Sequence, residues 1–424
     1  MTEVNEPRVH HIDDWRRPRL PLPMYVANAT LGPLARGVVS LEPGRLLEAA
    51  EEKTGLSDFG DERFLEPLGV LSGALEDEAG LSAFGRFGAR QLMLQLLCSR
   101  LKVEALIQAH PEIEDETIRA PIFIVGLPRT GTTHLHNLIA QDPGLRSLPY
   151  WESLDPVPAD LARGDVSLDD PRIAACQQAC DFLHWAAPLF PLMHEMAPHE
   201  IHEEVQLLAI DFSTMLFEAS YPVPAYRDWY TAADQTASYA YLKRLLKVLQ
   251  WLRGGERWIL KSPQHLEQLG PLLSIFPDAT IVQTHRDPVR VTASFVTLGA
   301  YGLRISVGGI DPHKIGRYWA DRIERMLNAS VRDRDGVPKD QVIDCRFHEF
   351  MADQKGMLRR IYATAGRLFD DALEHRFDTY LATHQRGRMG RIDYRLADFG
   401  LDGTERREAL AHYQSRFEVP DEKS

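Results

Sequence analysis

Gly126-Leu127-Pro128-Arg129-Thr130-Gly131-Thr132-Thr133 constrains the fold of this chain more than any other stretch. It follows PIFIVG (121–126), a short apolar run rich in β-branched residues, and leads into HLHNLIAQ (134–141), whose apolar residues recur at helical spacing. A strand, a tight glycine-bearing turn and a helix, in that order, put backbone N–H groups at a helix N-terminus. The helix dipole favours negative charge at the same place. Gly126 and Gly131 let the backbone approach an anion closely, and Thr132 and Thr133 add hydroxyl donors. The G-x-x-x-x-G spacing is that of a nucleoside-triphosphate loop, but such a loop needs Lys directly after the second Gly and then a magnesium-binding Ser or Thr. Here Thr132 holds the Lys position, and the loop's only cation, Arg129, comes two residues before Gly131.

The strand-then-helix rhythm repeats three times. RWILKSP leads into HLEQLGPLLSIF, ATIVQTHRDP into VRVTASFVTLGA, and QVIDCRFHEF into KGMLRRIYATAGRLF. Strands alternating with helices predict an α/β fold, a P-loop-like parallel sheet flanked by helices. The expected organisation is an N-terminal arm and helical unit over residues 1–118, then an α/β core over 119–424 that carries a large helical insertion at about 155–252. The first forty residues, rich in Pro and Arg, read as an extended arm, and three segments between Glu42 and His110 read as helices. The insertion is too long for a simple connection and is expected to cover the ligand-binding edge of the sheet. Its aromatics, among them Trp185, Phe190, Phe212, Tyr226 and Trp229, are expected to make an acceptor pocket there apolar.

Charge and composition exclude several classes. A net charge of −13 argues against non-specific nucleic-acid binding, which needs Lys and Arg to neutralise phosphates, so an anionic ligand must be held by a local basic cluster. No run of about 18 apolar residues occurs, so no membrane-spanning segment is expected. The start MTEVNEPRVHHIDDW lacks the apolar core of a secretory signal. Cys176 and Cys180 lie four apart with no second pair, and the stretch from His194 to Glu204 has no H-E-x-x-H, so no metal site is expected. Reduced thiols and a cytoplasmic location follow. Oligomeric state is not legible.

Pro128-Arg129-Thr130-Gly131-Thr132-Thr133 resembles the loop that binds the 5′-phosphosulfate in the sulfotransferase superfamily, in which the cation precedes the glycine. The Arg form is similar to that of bacterial and protein-tyrosine sulfotransferases. The resemblance runs from about Pro121 to Tyr394. It implies that Pro128, Arg129, Thr130, Gly131, Thr132, Thr133 and His134 hold the donor 3′-phosphoadenosine 5′-phosphosulfate, with no metal. It also implies that Arg286, at the end of the strand ATIVQTH, and Ser294, eight positions later, bind the donor's 3′-phosphate. The guanidinium can fork onto phosphate oxygens, and a hydroxyl two helical turns along can reach the same side. Arg386-Gly387-Arg388-Met389-Gly390 resembles the family's basic loop over the nucleotide, although Arg391-Ile392-Asp393 replaces the aromatic-basic segment that normally follows.

For the chemistry, the resemblance implies that Arg129 steadies the leaving nucleotide and that Lys261 contacts the sulfuryl group. The base that takes the acceptor's proton is left between Glu152, 23 residues after Arg129, and His265, with Glu203 or Glu204 as a further candidate. The expected reaction moves a sulfuryl group to a hydroxyl, or an amine, of a small hydrophobic or amphipathic acceptor. Two readings compete: a P-loop kinase or NTPase, which would need Asp287 as its magnesium carboxylate, and a non-catalytic nucleotide-binding protein on the same fold.

Overall fold

The computed structural model describes residues 9–158, 170–384 and 391–422. Its strands are β1 (Val9–His10), β2 (Ile122–Val125), β3 (Ile259–Lys261), β4 (Thr280–His285), β5 (Val342–Arg346) and β6 (Arg391–Ile392). Four form one parallel sheet in the order β3-β2-β4-β5, with Ile124 level with both Lys261 and Val282. β1 and β6 pair in parallel as a separate ribbon. Each strand of the main sheet falls within one of the four runs read from the sequence.

β2 and β4 are buried along their whole length, as strands covered on both faces must be. Alternate residues of β2 serve the two sides. Phe123 and Val125 join the larger core, which also holds residues of the N-terminal helices and of the insertion. Ile122 and Ile124 face a second core that includes Leu135 and Leu138 of the helix Thr132–Ile139 and Leu358 and Phe377 of the C-terminal helices. The insertion is mostly helical where described, from Pro171–Ala186 to Thr236–Arg253.

The amino-terminal arm is not extended. Leu22–Val38 is a helix, followed by Pro43–Thr54, Leu65–Asp77 and Ala83–Ala109. Pro21 and Pro23 lie at the first turn, where a missing N–H costs nothing, so a proline-rich composition begins this helix rather than preventing it. Met24 and Ala35 are its buried contacts, and the Asn28 side chain accepts from Phe84 N at 3.0 Å, docking it on the start of Ala83–Ala109.

The parallel arrangement brings four strand ends to one edge. The loop after β2, Lys261 at the end of β3, Arg286 after β4 and Phe347 after β5 all lie at the carboxyl ends of the strands. In open α/β sheets this is where ligands bind.

Candidate active site

Close packing shapes the loop first. A Cβ at Gly126 would lie 2.0 Å from Thr284 Oγ1 on β4, so only glycine passes there. Thr130 Oγ1 donates to Leu127 O at 2.7 Å and lies 2.7 Å from Thr284 Oγ1, which ties the turn to the neighbouring strand. Gly131 takes φ +93°, and Arg129 takes φ +75°, a left-handed conformation that costs a non-glycine residue about 1–2 kcal/mol. The helix Thr132–Ile139 starts directly after Gly131, and no side chain caps its first N–H groups. Thr132 is buried and Thr133 is exposed at its first turn. His134 faces elsewhere: its Nε2 meets Gln354 Oε1 at 2.8 Å and its ring packs near Phe350, on the side of the C-terminal helices.

The strained backbone aims the Arg129 guanidinium. Its Nε donates to Ser294 Oγ at 3.0 Å and its Nη1 to Met193 O at 2.5 Å, and its Nη2 lies 3.5 Å from Tyr394 Oη. Arg286 Nη1 donates to the Arg129 carbonyl at 3.0 Å. Arg129, Arg286 and Ser294, drawn from two separate motifs, therefore meet. The Arg286 guanidinium lies 4.0 Å over the Phe347 ring, and its Nε and Nη2 fork onto the Glu422 carboxylate at 2.7 and 2.8 Å. Asp287 is spent on structure. Oδ1 accepts from Val289 N, capping the helix Pro288–Val307, and Oδ2 accepts from Arg407 and from Glu422 N. A magnesium-binding role for Asp287 finds no free oxygen here.

Lys261 is nearly sealed off, and its Nζ forms an ion pair with Glu203. Glu204 Oε2 accepts from Lys261 N at 2.8 Å, and its other oxygen meets His265 Nε2 at 2.5 Å. His265 Nδ1 is engaged by Tyr239 Oη at 2.6 Å. Burial pushes the Glu204 carboxyl up, but His265 and the Lys261 N–H outweigh it and hold Glu204 below the ordinary range. His265 thus has both nitrogens occupied in a fully buried relay. Glu152 is equally committed: fully buried, it accepts from Arg146 at 2.7 Å and from Arg253 at 2.9 Å. Neither pairs with the side chain of Arg129 or Lys261. The carboxylate that does reach Lys261 Nζ is Glu203.

Three histidines surround this pair. Burial first, then the charges of Lys261 and Arg129, holds His194 down to about 3. Burial and Lys261 hold His136 at about 4, and His202 also lies well below its ordinary value. All three are neutral at pH 7. An unfolded chain takes up protons on these rings below about pH 6.5 that the folded chain refuses, so stability present above that pH is lost as pH falls. For His136, held at about 4, the expected loss approaches about 1.4 kcal/mol per pH unit between roughly pH 6 and 4, and His202 adds to it in the same direction. Urea midpoints at pH 7, 6 and 5 read this directly, and His202→Gln should flatten the slope; equal midpoints for the wild type would contradict it.

Of the insertion's aromatics, Phe190 lies beside His194, with ring centroids 6.2 Å apart. Phe212 and Tyr226 are core residues instead, with Tyr226 Oη donating to Phe212 O, and Trp229 Nε1 donates to Glu66. Cys176 and Cys180 are buried against Trp151 and Met196. Among the described residues no three His, Cys, Asp or Glu side chains are grouped as a metal would need. Arg386 and Gly387 lie outside the described residues.

A profile described as Sulfotransferase family matches residues 121–371, more than half of the chain. The chain belongs to the sulfotransferase family. This sulfotransferase is 27% identical over 282 residues to the ω-hydroxy-β-dihydromenaquinone-9 sulfotransferase Stf3 of Mycobacterium tuberculosis, a match covering 63% of this chain and 69% of that one. Its fold resembles the crystal structure of the sulfotransferase STF9 from Mycobacterium avium, with a TM-score of 0.81, 27% identity, and coverage of 92% and 99% of the two chains. STF1 from M. tuberculosis H37Rv gives a TM-score of 0.77, 30% identity, and coverage of 88% and 99%. The chain is thus an enzyme of the sulfotransferase class, and the P-loop-like fold expected from its strands and loop is the fold it has.

Proposed function

We propose that this enzyme takes its sulfuryl group from 3′-phosphoadenosine 5′-phosphosulfate and delivers it to a hydroxyl on a lipid-like acceptor. The observation that carries the donor is the convergence of Arg129, Arg286 and Ser294, with a carboxylate forked on Arg286. Glu422 stands there as an anion in the place this reading gives to the 3′-phosphate. The uncapped helix start and the close-packed glycine suit an anion at the other end of the loop.

When bound, the donor would supply an activated sulfuryl group and a stable nucleotide leaving group. Pro128 to Thr133 would hold its 5′ end, with Arg129 carrying positive charge for the departing phosphate, while Arg286 and Ser294 would hold the 3′ end. Lys261 would stabilise the sulfuryl oxygens. Glu203, already paired with Lys261, would take the proton of the acceptor hydroxyl. The acceptor class draws support from Stf3, whose name describes a hydroxylated menaquinone acceptor, and from Phe190 beside His194. Buried, unpaired thiols suit a cytoplasmic enzyme.

Calorimetric titration tests the donor. Adenosine 3′,5′-bisphosphate should bind much more tightly than ATP, and Arg286→Ala should weaken it by about 10- to 100-fold, the loss of a charge-assisted fork worth about 1.5–3 kcal/mol. Glu422→Gln should act in the opposite direction and tighten it, because Arg286 no longer has to release a carboxylate. ATP binding as tightly as the bisphosphate would overturn the assignment of Arg286 and Ser294 to the 3′-phosphate.

A further inference from the structure

Among the described residues, the helix Leu22–Val38 is the most apolar surface that the fold leaves uncovered. Leu22, Tyr25, Val26, Leu31, Leu34 and Val38 are 51–80% exposed, while Met24 and Ala35 are its buried contacts. Arg36 is its single charged residue in 17. A helix that is apolar around most of its circumference is ordinarily buried, in a core or in lipid. This one is neither buried nor long and apolar enough to cross a membrane.

Its charge sets it apart from the rest of the chain. Residues 15–41 hold four arginines, Arg16, Arg17, Arg19 and Arg36, and no Asp or Glu, in a chain whose net charge is −13. Arg16 and Arg19 make exposed pairs with Asp311 and Asp13, the kind worth little, and stay open to a surface of greater negative charge. Basic residues beside an exposed apolar helix are the pattern of a helix that lies in the interface of an anionic bilayer, where each arginine near the surface adds attraction.

The helix also leads to the site. Asn28 docks it on Phe84, whose ring stacks on Phe182 at 5.4 Å, and Phe182 packs 5.8 Å from Trp185, itself half-exposed. From Trp185 the chain passes through Phe190 to Met193, whose carbonyl holds Arg129. Aromatic contacts thus run from the exposed helix to Trp185, and the chain that continues from Trp185 carries Phe190 and the Met193 carbonyl that holds Arg129.

We propose that Leu22–Val38 seats the enzyme on the surface of an anionic phospholipid bilayer and that its acceptor enters from that surface, on the side of the Phe84–Phe182–Trp185 aromatics. The inference leans on the lipid-like acceptor proposed above, so its test is made without donor or acceptor. The full-length protein is floated with vesicles of phosphatidylglycerol and phosphatidylcholine and with vesicles of phosphatidylcholine alone. The wild type should float with the anionic vesicles and much less with the neutral ones. Tyr25→Glu combined with Leu34→Glu should reduce flotation at least about tenfold, with thermal stability and bisphosphate affinity unchanged, since both side chains are exposed.

Wild-type protein that stays in the soluble fraction at low salt would overturn the proposal, as would flotation unaffected by the two substitutions. So would a wild-type dimer that the substitutions dissociate without any vesicle binding, which would assign the helix to a second copy. Helix-dependent flotation together with failure to sulfate any lipid alcohol would leave the seat standing and remove the acceptor reading instead.

Discussion

Glu203→Gln is expected to lower kcat by about 10²–10⁴-fold, the range a positioned general base contributes, while bisphosphate affinity stays within about threefold of wild type. The substitution keeps the shape of the side chain and removes its ability to take a proton. Glu203 is the carboxylate that reaches Lys261 Nζ, and its side chain is 17% exposed, enough to be met by an acceptor hydroxyl. Glu152 and His265 provide the controls. Glu152→Gln weakens a buried brace between Arg146 and Arg253, and His265→Gln opens the relay from Tyr239 to Glu204. Both should act mainly on the denaturation midpoint, with kcat per folded molecule changed far less. Steady-state kinetics on folded fractions separates the outcomes. A Glu203→Gln enzyme within tenfold of wild type, beside an inactive but fully folded Glu152→Gln enzyme, would move the base to Glu152.

The difference between these carboxylates marks where the sequence stops being readable. The four strands are legible because short apolar runs ending in Gly, Lys-Ser-Pro, His-Arg-Asp-Pro and Arg-Phe leave few other ways to bury them, and the fold has a strand in each. The Arg286–Ser294 spacing is legible because a strand end and two helical turns fix their relative positions. Neither Glu152 nor Glu203 carries a local signal of its role in the sequence. Their roles depend on which cations fold against them, Arg146 and Arg253 for one and Lys261 for the other, and those partners come from elements up to 101 residues away. Glu422 is more remote still, 136 residues from Arg286, with no local pattern to announce it. The helix Leu22–Val38 was hidden for another reason. Counting prolines suggests an arm, whereas the position of Pro21 and Pro23 at a first turn starts a helix.

Lys261→Met is expected to reduce kcat by about 10²–10³-fold, the scale on which a single charge-stabilising donor contributes, and the double variant with Glu203→Gln should be little worse than the poorer single. Methionine preserves the length and packing of a side chain that is 3% exposed, so the change removes charge without opening a cavity. The near-absence of additivity follows from the geometry. Glu203 is ion-paired with Lys261, and Lys261 N is held by Glu204, which His265 and Tyr239 hold in turn, so the lysine and its carboxylate partner act as one unit. Residues acting as a unit lose most of their effect with the first removal, and a double-mutant cycle measures that coupling. Two independent contributors would instead multiply, and a double variant whose loss equals the product of the two single losses would show that Lys261 and Glu203 act on the reaction separately rather than as one unit. Bisphosphate titration of the same variants anchors the comparison: the nucleotide site proposed above uses Arg129, Arg286 and Ser294 and neither Lys261 nor Glu203, so its affinity should be retained in all three.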